Sequence, residues 1–138
     1  GEEDLVIGLA GFLAEIGVQP VLCASGAKSG RFAAAIRQVT EGFAPKESEV
    51  CEDTDFFAIA HRARELAPDI IVGHSKGYRL ARELDVPLIR VGFPIHDRMG
   101  GQRILHLGYR GAQQLFDTVT NALIARKQNL SPVGYSYM

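Results

Sequence analysis

Apolar residues recur at helical spacing from the start of the chain: Leu5, Leu9, Phe12 and Ile16 fall on one stripe, with Val6 and Leu13 beside them. Gly17 follows where a helix C-terminus takes a left-handed residue, so the pattern predicts a helix that stops there. "VQPVLCAS" then reads as a short buried strand, "GAKSGR" as a turn, "RFAAAIRQVTEGF" as a second helix, and Ser48 to Glu52 as a weak edge strand. "DTDFFAIAHRARELA" predicts a third helix, with Asp53 or Thr54 as N-cap, an apolar face of Phe56, Ile59, Ala60, Ala63 and Leu66, and Pro68 beyond its end. "DIIVGHSKG" and "VPLIRVGF" are apolar runs rich in β-branched residues, separated by "YRLARELD" with helical spacing at Leu80, Ala81 and Leu84. That is a strand, helix, strand unit, and right-handed crossover makes its two strands parallel neighbours. "GAQQLFDTVTNALIARKQ" predicts a last helix packing by Leu115, Val119 and Leu123, with Ala112, Phe116 and Ala122 on the same face.

Strands that read as continuous apolar runs rather than alternations suit a parallel sheet covered on both faces. The expected fold is therefore α/β, a Rossmann-like three-layer domain with a mainly parallel sheet of about four strands covered by helices. Residues 1–128 form one domain in this reading, and 129–138, of turn composition, form an exposed or partner-bound tail.

Charge and composition narrow the function classes. Fifteen Lys plus Arg stand against sixteen Asp plus Glu, so no overall basic field draws the chain to nucleic acid or to a membrane surface. No apolar run approaches the ~20 residues that span a bilayer, and no signal segment is visible. Cys23 and Cys51 are too few and too far apart for a disulfide scaffold or a CxxC metal site, which suits a reduced, cytoplasmic chain. The first residue is Gly, and a helix starts almost at once, so the chain reads as a piece excised from something longer.

In doubly wound sheets ligands gather where strands end and helices begin. His74, Ser75 and Lys76 in "GHSKG" form a candidate anion-binding turn, although the segment lacks the GxxxxGK[ST] of a P-loop; Gly73 and Gly77 as turn geometry, with Ser75 as cap, is the competing reading. His74, His96, His106 and Cys23 match no compact metal motif, and Ser75, His96 and Asp97 lack the G-x-S-x-G elbow of a hydrolase triad. No catalytic, cofactor-binding or metal-binding residue is assigned. The connection "RVGFPIHDRMGGQRILHLGYRGAQQLF" is the unusual stretch: Asp97, Arg98 and Arg103 sit among Gly and Pro, where they either order a rigid loop by mutual pairing or present a partner surface.

The stretch "PDIIVGHSKGYRLARELDVPLIRVGFPIHDRMGGQRILHLGYRGAQQLFDTVTNALI" resembles the C-terminal region of the nitrogenase component 1 family. Within it, the chain resembles most the beta-type (NifN-like) subunit of the scaffold that assembles the iron-molybdenum cofactor. "PLIRVGFPIHDR" and "GYRGAQQLF" carry most of the likeness. His96 stands where catalytic beta-type subunits carry Phe, and "MGGQR" follows Asp97-Arg98 where they carry histidines; this departure favours the scaffold. The resemblance implies one domain of a three-domain subunit, paired with an alpha-type (NifE-like) scaffold subunit in a heterotetramer and served by an iron-protein reductase. It implies iron-sulfur and molybdenum-iron precursor clusters in the full complex but carries no cluster ligand onto this chain. It places Phe93, Ile95, His96, Asp97, Arg98, Arg103 and Tyr109, with Leu105, in a subunit-contact loop, and the chain alone is expected to catalyse nothing. A domain of a catalytic nitrogenase or nitrogenase-like reductase subunit, and a stand-alone nucleotide-binding domain, are the alternatives.

Overall fold

The computed structural model describes residues 1–133 and divides into two compact units, Gly1–Pro68 and Asp69 onward. In the first unit the elements run α1 (Glu3–Glu15), β1 (Leu22–Ala24), α2 (Phe32–Thr40), β2 (Glu49–Cys51) and α3 (Phe56–Leu66). α1 stops as its pattern predicts, with Gly17 at φ +82°. β1 and β2 are parallel, with Cys23 opposite Val50. Phe32 and Ile36 of α2 are fully buried with Ala10 and Cys23, and Val6, Ile7, Val39 and Val50 pack around them. Gly11 allows α1 to approach α2, because a Cβ there would lie 3.2 Å from that of Val39. The Phe32 N–H donates to Glu52 Oε1 at 3.2 Å, so a side chain after β2 supplies an acceptor for the start of α2.

Two expectations for α3 are corrected. Its N-cap is Asp55, which accepts from the Ala58 N–H at 2.8 Å; Asp53 is instead left-handed (φ +50°) in the turn after β2. Its inward face is also narrower than predicted, since Ala63 is buried while Phe56 is exposed. Arg62 forks onto the Glu49 carboxylate (Nη2 to Oε1, 2.6 Å; Nε to Oε2, 3.0 Å) and ties α3 to β2.

The second unit contains β3 (Ile71–Gly73), α4 (Tyr78–Glu83) entered through one 3-10 turn at Ser75–Gly77, β4 (Leu88–Arg90), a 3-10 turn at Gly101–Arg103, and the long α5 (Gly108–Leu130). β3 and β4 are parallel neighbours in the register Ile71↔Leu88, Val72↔Ile89, Gly73↔Arg90, joined through α4, as the strand, helix, strand reading requires. All four predicted strands are thus present, each three residues long, as two parallel pairs. The buried apolar side chains of this unit include Leu80, Ile89, Val91 and Ile95, with Leu115 and Val119 from α5. Phe116, expected on the same face, is 43% exposed. Gly111 sits in the first turn of α5 because a Cβ there would lie 2.5 Å from the His106 carbonyl carbon. The helix runs through Leu130, past the expected start of the tail at Asn129, and the last five tail residues lie outside the described ones. Among the described residues no helix is long and apolar enough to cross a membrane.

Candidate functional site

β3 and β4 are parallel, so their C-terminal ends lie side by side and the segments that leave them can meet. Val91 still donates to the Gly73 carbonyl (3.0 Å), after which Gly92 at φ +69° and a cis Phe93–Pro94 peptide redirect the chain. The Pro94 carbonyl accepts from the Ser75 N–H at 3.1 Å, and the Ser75 hydroxyl accepts from the His96 N–H at 2.8 Å. That hydroxyl donates in turn to Asp97 Oδ1 at 2.7 Å. Arg90, the last residue of β4, completes the cluster as a fork, with Nε to Oδ1 at 2.9 Å and Nη2 to Oδ2 at 2.5 Å. Its Nη1 also reaches the Leu88 carbonyl at 3.4 Å. Arg98 donates to the Asp97 carbonyl at 2.5 Å, with its guanidinium 3.5 Å from the carboxylate.

The Arg90 side chain is 11% exposed and that of Asp97 30% exposed, so the pair is shielded on the arginine side and wet on the other. The Arg90 guanidinium, with the Ser75 hydroxyl second, holds the Asp97 carboxyl well below the usual carboxylate range, and the same bond raises Arg90. Arg90 was not among the candidate residues. The available signal was a charge inside an otherwise apolar parallel strand, where an arginine needs a partner.

The other candidates take separate places. His74 caps the 3-10 turn, its Nδ1 accepting from the Lys76 N–H at 3.3 Å, and burial lowers its pKa. The Ser75 hydroxyl of the same turn is engaged by Asp97, so the anion at this oxygen is the chain's own carboxylate. Ile95 points inward (6% exposed) against Gly101, where a Cβ would lie 2.6 Å from its Cγ2. Arg103 folds its guanidinium against Gly100 and stands apart from the Asp97 carboxylate. His96 meets Ser75 through its backbone N–H and not its imidazole, and the Arg90 fork makes the Asp97 carboxylate a weak base toward the Ser75 hydroxyl, so no Ser-His-Asp relay is formed.

What the ordered loop presents is apolar. Phe93 (77% exposed), Met99 (98%), Leu107 (80%) and Tyr109 (99%) face solvent within one short stretch of sequence, with Leu105 partly exposed among them. Large apolar side chains exposed together in one connection are what an interaction surface requires. The site is not built for metal. Among the described residues no group of three His, Cys, Asp or Glu side chains could hold an ion. Cys23 is buried in the apolar core of the first unit, which pushes its thiol up to about 11 and keeps it protonated. The described residues therefore form no ligand set for an iron-sulfur or molybdenum-iron cluster.

A family model described as "Nitrogenase component 1 type Oxidoreductase" matches residues 1–124. The chain is 35% identical over 124 residues to the nitrogenase molybdenum-iron protein beta chain of Methanothermobacter marburgensis, covering 90% of this chain and 27% of that protein. It is 37% identical over 132 residues to the vanadium-iron protein beta chain of Trichormus variabilis (91% and 28%) and 35% identical over 135 residues to the molybdenum-iron protein beta chain of Azotobacter vinelandii (91% and 26%). The chain thus spans little more than a quarter of the length of these relatives. The solved structure "Nitrogenase Cp1 at pH 6.5" superposes with a TM-score of 0.90 at 27% identity, over all of this chain and 30% of that one.

Proposed function

Because the chain belongs to the nitrogenase component 1 type oxidoreductase family, we propose that it serves as one domain of a beta-type subunit, whose loop after β4 docks an alpha-type partner in a heterotetramer. The observation that carries this reading is the combination at residues 90–109: a carboxylate locked by Arg90 and Ser75, and Phe93, Met99, Leu107 and Tyr109 exposed in the same connection. A loop that is already ordered loses little conformational freedom when a partner covers its apolar side chains. We further propose that the complex is a scaffold on which an iron-molybdenum cofactor precursor matures, in contact with an iron protein in the cytoplasm. This rests on the resemblance set out in the sequence analysis, in which His96 and the "MGGQR" that follows Arg98 are read as departures from the catalytic beta-type pattern. Precursor clusters would be held by other segments of the complex.

A catalytic role is the second reading, favoured by the relatives named above, which are nitrogenase beta chains at 35–37% identity. One preparation separates the two. The full-length subunit is co-expressed with its alpha-type partner, purified without oxygen and supplied with iron protein and ATP. A scaffold leaves acetylene unreduced yet activates cofactor-free nitrogenase after loading with precursor; acetylene reduction by the complex itself would make it catalytic. For the docking role, Phe93→Ala with Tyr109→Ala should weaken heterotetramer formation at least ~10-fold, and unchanged assembly would dismiss the loop as a contact surface.

A further inference from the structure

The second unit also carries an open groove of about 490 Å3, lined by α4, β4 and α5. Small apolar side chains, Ala81, Ala122 and Ala125, leave the space unfilled, and Tyr78 adds a half-exposed ring. The charged lining is one-sided: Arg82, Arg90, Arg98 and Arg126 stand against Asp85. Arg90 is neutralised by Asp97, whereas Arg98 and Arg126 have only long carboxylate contacts. Arg126 donates to the neutral carbonyl of Asp85 at 2.6 Å and lies 3.9 Å from the exposed Asp69 carboxylate. Arg98 spends its bond on a backbone carbonyl and shares a carboxylate that Arg90 already holds. Arg82 is exposed in the last turn of α4. The surplus extends beyond the groove, since residues 69–138 contain nine Lys plus Arg and five Asp plus Glu, whereas residues 1–68 contain six and eleven.

We propose that this groove binds an extended acidic segment of a partner chain, with carboxylates spaced along small apolar residues. Charge complementarity selects the sign of the occupant. Its form follows from where the arginines come from: α4, the loop after β4, and α5 each contribute, so positive charge is spread along the groove, whereas a phosphate group calls for donors converging on one point. The Leu88 carbonyl at the edge of β4 is already taken by Arg90, so the segment is held by its side chains and not by adding a strand. The proposal is independent of whether the parent complex is scaffold or enzyme.

The test is fluorescence anisotropy of a labelled peptide with repeating Glu-Val-Asp-Ala, titrated with the full-length subunit. Binding at low salt that fades as salt rises is expected, because salt screens ion pairs formed in an open groove. Arg82→Glu should weaken it at least ~10-fold by charge, and Ala125→Trp should abolish it by filling the groove; melting curves check that both variants are folded. A Lys-Val-Lys-Ala peptide should fail to bind the wild type. Absence of acidic-peptide binding, the same affinity in both folded variants, or tighter binding of ATP than of the peptide overturns the proposal.

Discussion

The two units use the same strand, helix, strand motif and close it differently. Each has two parallel three-residue strands, and each places a serine just beyond the first. In the first unit that serine is Ser25, almost fully buried, whose hydroxyl donates to the Gly1 carbonyl and accepts from the Ala27 N–H. The strand ends there are joined main chain to main chain, Ser25 to Cys51 and Thr54 to Ser25. In the second unit the corresponding serine, Ser75, donates to a carboxylate that an arginine holds from the neighbouring strand. Backbone closure leaves few side chains to spare and suits a unit organised around a core of Phe32 and Ile36. Closure in the second unit adds the Arg90–Asp97 ion pair to the bonds through Ser75, and leaves Phe93, Met99, Leu107 and Tyr109 exposed in the connection that follows. One motif makes a core; the other makes a display.

If that contrast is right, damage should separate by unit. The largest effect is expected from Phe32→Ala, which empties the centre of the first unit and should cost about 3–5 kcal/mol in chemical denaturation of the full-length subunit. A cost under about 1 kcal/mol would mean that Phe32 does not organise that core. Arg90→Ala should come next: amide hydrogen exchange across 93–104 accelerates and partner affinity falls at least ~10-fold, while amides of the first unit keep their protection. Arg90→Lys should recover only part of this, because an ammonium cannot fork onto both carboxylate oxygens. Equal exchange in Arg90→Ala and wild type would remove the ion pair as the loop's fastening.

A pH series sharpens the same point with a smaller effect. Asp97 is depressed in the folded protein, so its stabilisation is fully present above the unfolded carboxylate value of about 3.9 and is lost as pH falls from there through the lower folded value. The melting difference between wild type and Asp97→Asn should therefore be largest near neutrality and shrink in acid; a difference that grows in acid would contradict the assignment. The smallest effect is expected at Arg37, whose pair with Glu47 at 2.7 Å joins two side chains that are each two-thirds exposed. Arg37→Ala should leave the melting temperature unchanged within error, and a clear drop would show that this pair contributes more than exposed ion pairs usually do.

Much of this architecture was legible from hydropathy period alone, because burial imposes the period. α1 ends at Gly17 as its pattern requires, and the parallel pairing of β3 with β4 follows from the helix between them. Local choices were harder. Asp53, Thr54 and Asp55 are all competent caps, and the turn that leaves β2 decides among them by placing Asp53 in the left-handed region. Phe56 and Phe116 fit the helical stripes but are exposed, since a stripe states what could be buried and not what covers it. For the site, charged residues in the loop suggested mutual pairing among Asp97, Arg98 and Arg103. The partner that matters, Arg90, lies in a strand, and only the register of β3 against β4 brings it, Ser75 and Asp97 together.

The bond from Arg90 to the Leu88 carbonyl has a consequence beyond the loop. Ile71 donates to the Pro87 carbonyl and Val91 donates to the Gly73 carbonyl, so the Leu88 carbonyl between them faces away from β3. Among the described residues β4 has no other strand beside it. A bare strand edge is a template on which unfolded or partly folded copies polymerise, and a guanidinium laid across its outward acceptor is a plug against that growth. The same side chain thus blunts a strand edge while it fastens the loop.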